Sequence, residues 1–218
     1  MPVDDTRRGF PPQRLTIIPG DVARMVIDKA LALMPEIPLE CKRLAGQTAP
    51  PRFLLTLSNL EEAGFCDAGR ETDFYVRLVS ACCRRGATIL IKPHPLGQTS
   101  ATADLPRALR EEGFDPHILS DPLQRMPMEL LPDLLAQTTV LSFSSTALSA
   151  KFLHGNPVAY GLDENLIEQC IRPQHRALFR HIDSIQRAQL NALDAWDGTG
   201  FLWSSANQRT RINAFLKR

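Results

Sequence analysis

The chain has almost no charge of one sign to spare. Its 25 Lys and Arg stand against 24 Asp and Glu. A balance this close to neutral gives no field of the kind that gathers nucleic acid, though it leaves room for a local basic pocket around a phosphate. Long apolar runs are missing too: none approaches the ~20 residues of a membrane span, and no signal peptide is expected at the start. Cys41, Cys66, Cys82, Cys83 and Cys170 are odd in number and fall at no zinc or redox spacing. Reduced thiols in a cytoplasmic protein are therefore expected. Several chemical signatures are also lacking. There is no glycine-rich phosphate loop of the Walker or dinucleotide type, no G-x-S-x-G elbow, no H-E-x-x-H and no Cys/His cluster. Metal binding is not expected. Internal repeats and low-complexity segments are absent as well.

What is present is enough to build a core: 218 residues, 44% of them hydrophobic. The first fourteen residues are polar and proline-bearing and read as a tail, followed by a short β-branched run, Leu15–Ile18. Asp21 can cap a helix over 22–34, where Val22, Met25, Val26, Ala30 and Leu33 recur at helical spacing. Residues 35–51, rich in proline and glycine, read as a linker. From Arg52 the pattern changes to strands alternating with helices. Strands are expected at 52–57, 87–92, 117–119, 138–143 and 156–160. Helices are expected at 71–85, 103–112, 128–137 and 146–154, and more helix from Asp163 onward, interrupted at 196–201. Continuous apolar strands joined through helices argue an α/β fold, a Rossmann-like parallel sheet covered on both faces. The expected organisation is an N-terminal segment and linker over 1–50, the Rossmann-like domain over 51–162, and a helical extension over 163–218 packing on it.

Ligands of such a sheet sit beyond the carboxyl ends of its strands. That rule singles out three stretches. Lys92-Pro93-His94-Pro95 follows the second strand, and its prolines delete two amide donors and hold His94 in an extended turn. An imidazole beside a lysine suits an anionic oxygen, although a Pro-His-Pro unit can also be only a stiff turn. Ser142-Phe143-Ser144-Ser145-Thr146 follows the fourth expected strand. One hydroxyl there is explained by helix capping, whereas several in a row with the free amides of a helix start form a ready anion site. Ser58-Asn59-Leu60-Glu61-Glu62-Ala63-Gly64 follows the first strand and can face the same cleft. Its paired acids could supply a general base, although for Glu62 a solvated loop acid is the better reading. His117, His154, His175 and His181 have no partner at informative spacing.

Taken together, Lys92-Pro93-His94-Pro95, then Pro127-Met128-Glu129, then Phe143-Ser144-Ser145-Thr146, resemble the motif order of bacterial polysialyltransferases and lipooligosaccharide sialyltransferases. The resemblance spans roughly Arg52 to Tyr160. It implies the C-terminal, CMP-sialic-acid-binding half of a two-domain, metal-independent glycosyltransferase of the GT-B type. It further implies that His94 contacts the CMP phosphate and assists its departure, that Ser144 and Ser145 bind the same phosphate, and that Glu129 binds the ribose or cytosine. Lys92 would lend charge nearby. Pro95, Ser58 and Asn59, at the same strand ends, are further candidates for binding the substrate. The implied partners are a CMP-sugar donor and a glycan acceptor, with no cofactor and no nucleic acid. The implied place is the cytoplasm, with peripheral association with the inner membrane left open. The family's general base lies in an acidic pair followed by glycine in its acceptor domain, most of which has no counterpart in these residues. Asp4-Asp5-Thr6 and Glu61-Glu62-Ala63-Gly64 are imperfect matches to that pair, so the base stays unassigned. A nucleotide-binding module without turnover, or a transferase using CMP-Kdo or a CDP-polyol, are the competing readings.

Overall fold

The computed structural model describes residues 20–94 and 100–195. Five strands form one sheet: β1 (Arg52–Thr56), β2 (Thr88–Lys92), β3 (Asp115–Ile118), β4 (Thr139–Ser142) and β5 (Val158–Tyr160). Their order across the sheet is β3-β2-β1-β4-β5, and every neighbouring pair is parallel. The fold is α/β and Rossmann-like, as expected from the alternation of strands and helices. The middles of β1, β2 and β4 are continuously apolar because both faces of the sheet are covered. Residues of alternate parity accordingly enter two different cores.

On one face, Leu55, Ile89, Ile91 and Leu141 pack against α3 (Arg70–Cys82), α4 (Ser100–Glu111), α8 (Glu164–Cys170) and α9 (Pro173–Asp194). Phe74, Leu78 and Val79 line the inward stripe of α3, and Phe179 brings α9 to the same core. On the other face, Leu54, Leu90 and Val140 pack against α2 (Glu36–Gln47), α5 (Asp121–Arg125), a 3-10 turn (Met128–Leu130), α6 (Pro132–Leu135) and α7 (Thr146–His154). α1 (Gly20–Ala32) packs outside that layer, on α7 and the 3-10 turn.

Two expectations are corrected. Residues 35–51 contain α2, whose Ile37, Cys41 and Leu44 are buried at helical spacing. Pro35 and Pro38 fall at the N-cap and in the first turn, where a missing amide breaks no intrahelical bond. Their presence therefore marks a helix start and not a linker. Second, residues 128–137 are not one helix. Pro132 opens a new one, and Leu131 before it leaves helical geometry at ψ 45°, as a residue preceding proline is biased to do. A short helix, α5, also lies where the sequence pattern indicated none. The remaining boundaries differ by a few residues, most of all at the start of α4, which includes Ser100, and at the end of α3, which stops at Cys82. The expected strand at Leu15–Ile18 and the interruption at 196–201 lie outside the described residues.

Candidate functional site at the strand switch point

The chain leaves β1 for α3 on one face of the sheet and leaves β4 for α7 on the other. Neighbouring strands whose connections diverge in this way open a crevice at their carboxyl ends. The crevice here is walled by the β1–α3 loop (57–69) and the short turn 143–145.

A row of polar side chains crosses the sheet at this edge. Lys92 is the register partner of Thr56. Leu55 pairs with Leu141, so Ser142 stands beside Thr56 on the next strand. Each follows a core residue by two positions, after Leu90, Leu54 and Val140, so all three project from the same face. All are buried. The Thr56 hydroxyl lies 2.8 Å from the Ser142 oxygen, which in turn lies 3.1 Å from the Ser144 hydroxyl. Ser142 Oγ also accepts from the Ser144 amide at 3.1 Å. The hydroxyl row thus runs from the sheet interior out into the β4–α7 turn.

The local sequence explains this turn. Phe143, of opposite parity to Ser142, goes to the other face. Its ring meets those of Phe74 at 5.0 Å and Phe179 at 6.4 Å. Anchored there, the chain swings back over the edge and α7 begins. The Ser144 hydroxyl lies 3.4 Å from the Thr146 amide at the helix start. Ser145 already has helical geometry at φ −58° and makes no side-chain cap. The capping expected of this stretch therefore falls to Ser144, and the Ser145 hydroxyl has no capping duty.

Lys92 is held rather than free. Its Nζ donates to the Gln124 carbonyl at 2.7 Å, tying β2 to α5. Burial pulls its ammonium below the ordinary lysine range, and the Glu129 carboxylate partly offsets this. The charge of Glu129 is thus felt at the end of β2. The Glu129 backbone is fixed from the other side, where His154 Nε2 lies 3.1 Å from its carbonyl oxygen. Burial likewise lowers the His154 imidazole. His94 follows β2 directly, behind the buried Pro93, and is half-buried. Pro95 lies outside the described residues, as do Asp4, Asp5 and Thr6.

The other wall is built from the first turns of α3. The Ser58 amide donates to the Tyr75 hydroxyl at 2.5 Å. The Glu61 amide donates to Glu71 Oε2 at 2.9 Å. Glu61 in turn accepts from the Gly69 amide at 3.0 Å, so this acid closes its own loop. Asn59 Oδ1 is buried with no donor among the described residues. The sequence reading named Lys92, Ser144 and Asn59 and did not single out Thr56, Glu71 or Tyr75, which the structure places at the same strand ends and in the adjoining wall. The usable signal for Thr56 was its position, the last residue of a strand and two past a core leucine.

Among the described residues there is no group of three or more His, Cys, Asp and Glu able to hold a metal ion. No helix among them is long and apolar enough to cross a membrane. Comparison of the chain with protein-family models, with curated proteins and with solved structures finds no match.

Proposed function

We propose that the β1/β4 switch point binds the phosphate of a CMP-linked sugar, and that the chain is the donor-binding part of a sialyltransferase-like, metal-independent glycosyltransferase acting toward a bacterial surface glycan. The observation that carries this reading is the buried row Lys92–Thr56–Ser142, continued by Ser144 to the start of α7. On the face whose core is Leu54, Leu90 and Val140, three buried polar side chains stand in line at the carboxyl ends of β2, β1 and β4. Hydroxyls, a helix start and a nearby ammonium together suit an oxyanion. In the proposed reaction the bond between the sugar and the phosphate breaks, with its electron pair leaving on the phosphate oxygen. Preorganised donors stabilise that charge. Ser144, Ser145 and His94 would supply the donors, Lys92 a fixed charge behind them, and Glu129 contacts to the nucleoside.

One observation favours a second reading, donor binding without turnover. The Glu61 carboxylate accepts from the Gly69 amide, so this acid of the β1–α3 loop takes part in the loop's own structure. Release of CMP from CMP-sialic acid, followed in EDTA, separates the two readings. The first expects release that falls at least about tenfold in Ser144→Ala, since hydrogen bonds to charged groups contribute ~1.5–3 kcal/mol. Binding of the intact donor with no release favours the second. Release from CMP-Kdo or CDP-glycerol alone would keep the fold-level argument and change the donor.

A further inference from the structure

We propose that Glu71 is a positioning residue for the switch-point crevice: its neutral carboxyl holds the β1–α3 loop in place, and its ionisation releases the loop. The proposal rests on the reading of the crevice as a ligand site only for its functional consequence.

Glu71 lies in the first turn of α3 and is fully buried. It is one helical turn from Tyr75, and the two side chains hold the same loop. Tyr75 takes the Ser58 amide, and Glu71 Oε2 takes the Glu61 amide. Glu71 Oε1 has no donor among the described residues. Full burial with no bonded cation among the described residues makes the ionised carboxylate costly while the loop is closed, and that cost falls when the loop opens and water reaches the group.

The surroundings push in the same direction. Burial raises the Glu71 carboxyl to about 7, against the amide bond from Glu61 that favours ionisation, and the charges of Glu62 and Glu61 raise it further. Cys66 beside it is pushed up to about 12 by burial, and Tyr75 is raised by burial as well, so both stay neutral. From the α8–α9 junction, Arg172 bonds the Gly64 carbonyl and Asp67, holding the far side of the loop. The His175 ring meets Phe65 edge-on at 5.2 Å, and Cys170 lies in the same core. No cation among these is bonded to Glu71. The sign follows: the folded protein keeps a proton on Glu71 that an exposed glutamate would release, and the loop is held below neutrality and loosened above it. Ser58 and Asn59, at the root of the loop, move with it.

The test compares wild type with Glu71→Gln, which keeps the acceptor for the Glu61 amide and cannot ionise. Amide exchange protection at Glu61 and Gly69 is measured from about pH 5.5 to 8.5, corrected for intrinsic exchange. Wild type is expected to lose about tenfold in protection as pH rises through neutrality, and Glu71→Gln to stay flat. Carbon-13 titration of the Glu71 carboxyl should show a midpoint near 7. A midpoint in the ordinary glutamate range, equal pH dependence in the variant, or flat protection in wild type would each overturn the latch. His175 is present in both proteins, so a histidine effect appears as equal dependence. The CMP arm is read as the ratio of affinities of the two proteins, which cancels titration of the nucleotide phosphate itself. That ratio is expected to favour Glu71→Gln several-fold above neutrality. If wild type binds no CMP at any pH, the ligand assignment falls, while exchange and titration still decide the latch.

Discussion

Thr56 and Ser142 are single hydroxyls at the ends of apolar strands, and each taken alone is an ordinary β-former. Together they form a buried bond between the two strands that flank the crevice. Ser142 serves three neighbours: the Thr56 hydroxyl, the Ser144 hydroxyl and the Ser144 amide. Thr56→Val should therefore cost about 1 kcal/mol, the net value of one neutral hydrogen bond. Ser142→Ala should cost more, roughly 2 kcal/mol, because it strands a buried hydroxyl on Thr56 and an amide on Ser144. The double variant should cost less than the two singles added, since the second change removes a partner already lost. Urea unfolding of the three variants measures this, and strict additivity would mean that the row is not coupled. Single residues are also where the sequence was least legible. Glu71 stood in plain view in an acidic first turn, the usual place for a solvated glutamate. Only the tertiary packing of the β1–α3 loop against α3 makes it a buried one.

Elements were legible where the pattern was long and uninterrupted. β1 and β2 read correctly because Phe53–Leu55 and Ile89–Ile91 form apolar runs that no polar residue breaks. α7 and its glycine stop read correctly because Gly155 takes the left-handed geometry, φ 67°, that ends helices. The errors came from proline. In 35–51 it was weighed as a breaker although it sits at the start of α2. In 128–137 Pro132 divides a segment whose apolar pattern alone reads as one helix. The corrected role of α2 has a measurable consequence. Leu44 is buried against the sheet while Leu39 is 67% exposed on the same helix. Leu44→Ala should destabilise the protein by about 2–5 kcal/mol, and Leu39→Ala should change stability by less than about 0.5 kcal/mol. Denaturant midpoints of the two variants distinguish a core helix from a linker. Equal, small effects would return the segment to linker status.

At the scale of the whole molecule, the parallel sheet followed from strands and helices in alternation, and the strand order set the crevice. A β3-β2-β1-β4-β5 order leaves one place where the connections part, and the Phe143-Ser144-Ser145-Thr146 turn opens onto it. The lysine-proline-histidine stretch lies at the end of β2, next to β1 on the same edge. Chemistry was less legible than architecture, because the ammonium of Lys92 turned out to hold α5 and not to point freely at a ligand. The nucleotide reading therefore depends most on the imidazole of His94. Calorimetry with CMP, in EDTA, on wild type, His94→Ala and Ser145→Ala tests it directly. The account predicts binding without metal, weakened roughly ten- to a hundredfold in His94→Ala by loss of one charge-assisted hydrogen bond. It predicts a smaller loss in Ser145→Ala, where the amides of the α7 start remain. Binding that requires magnesium, or an affinity unchanged in His94→Ala, would contradict it.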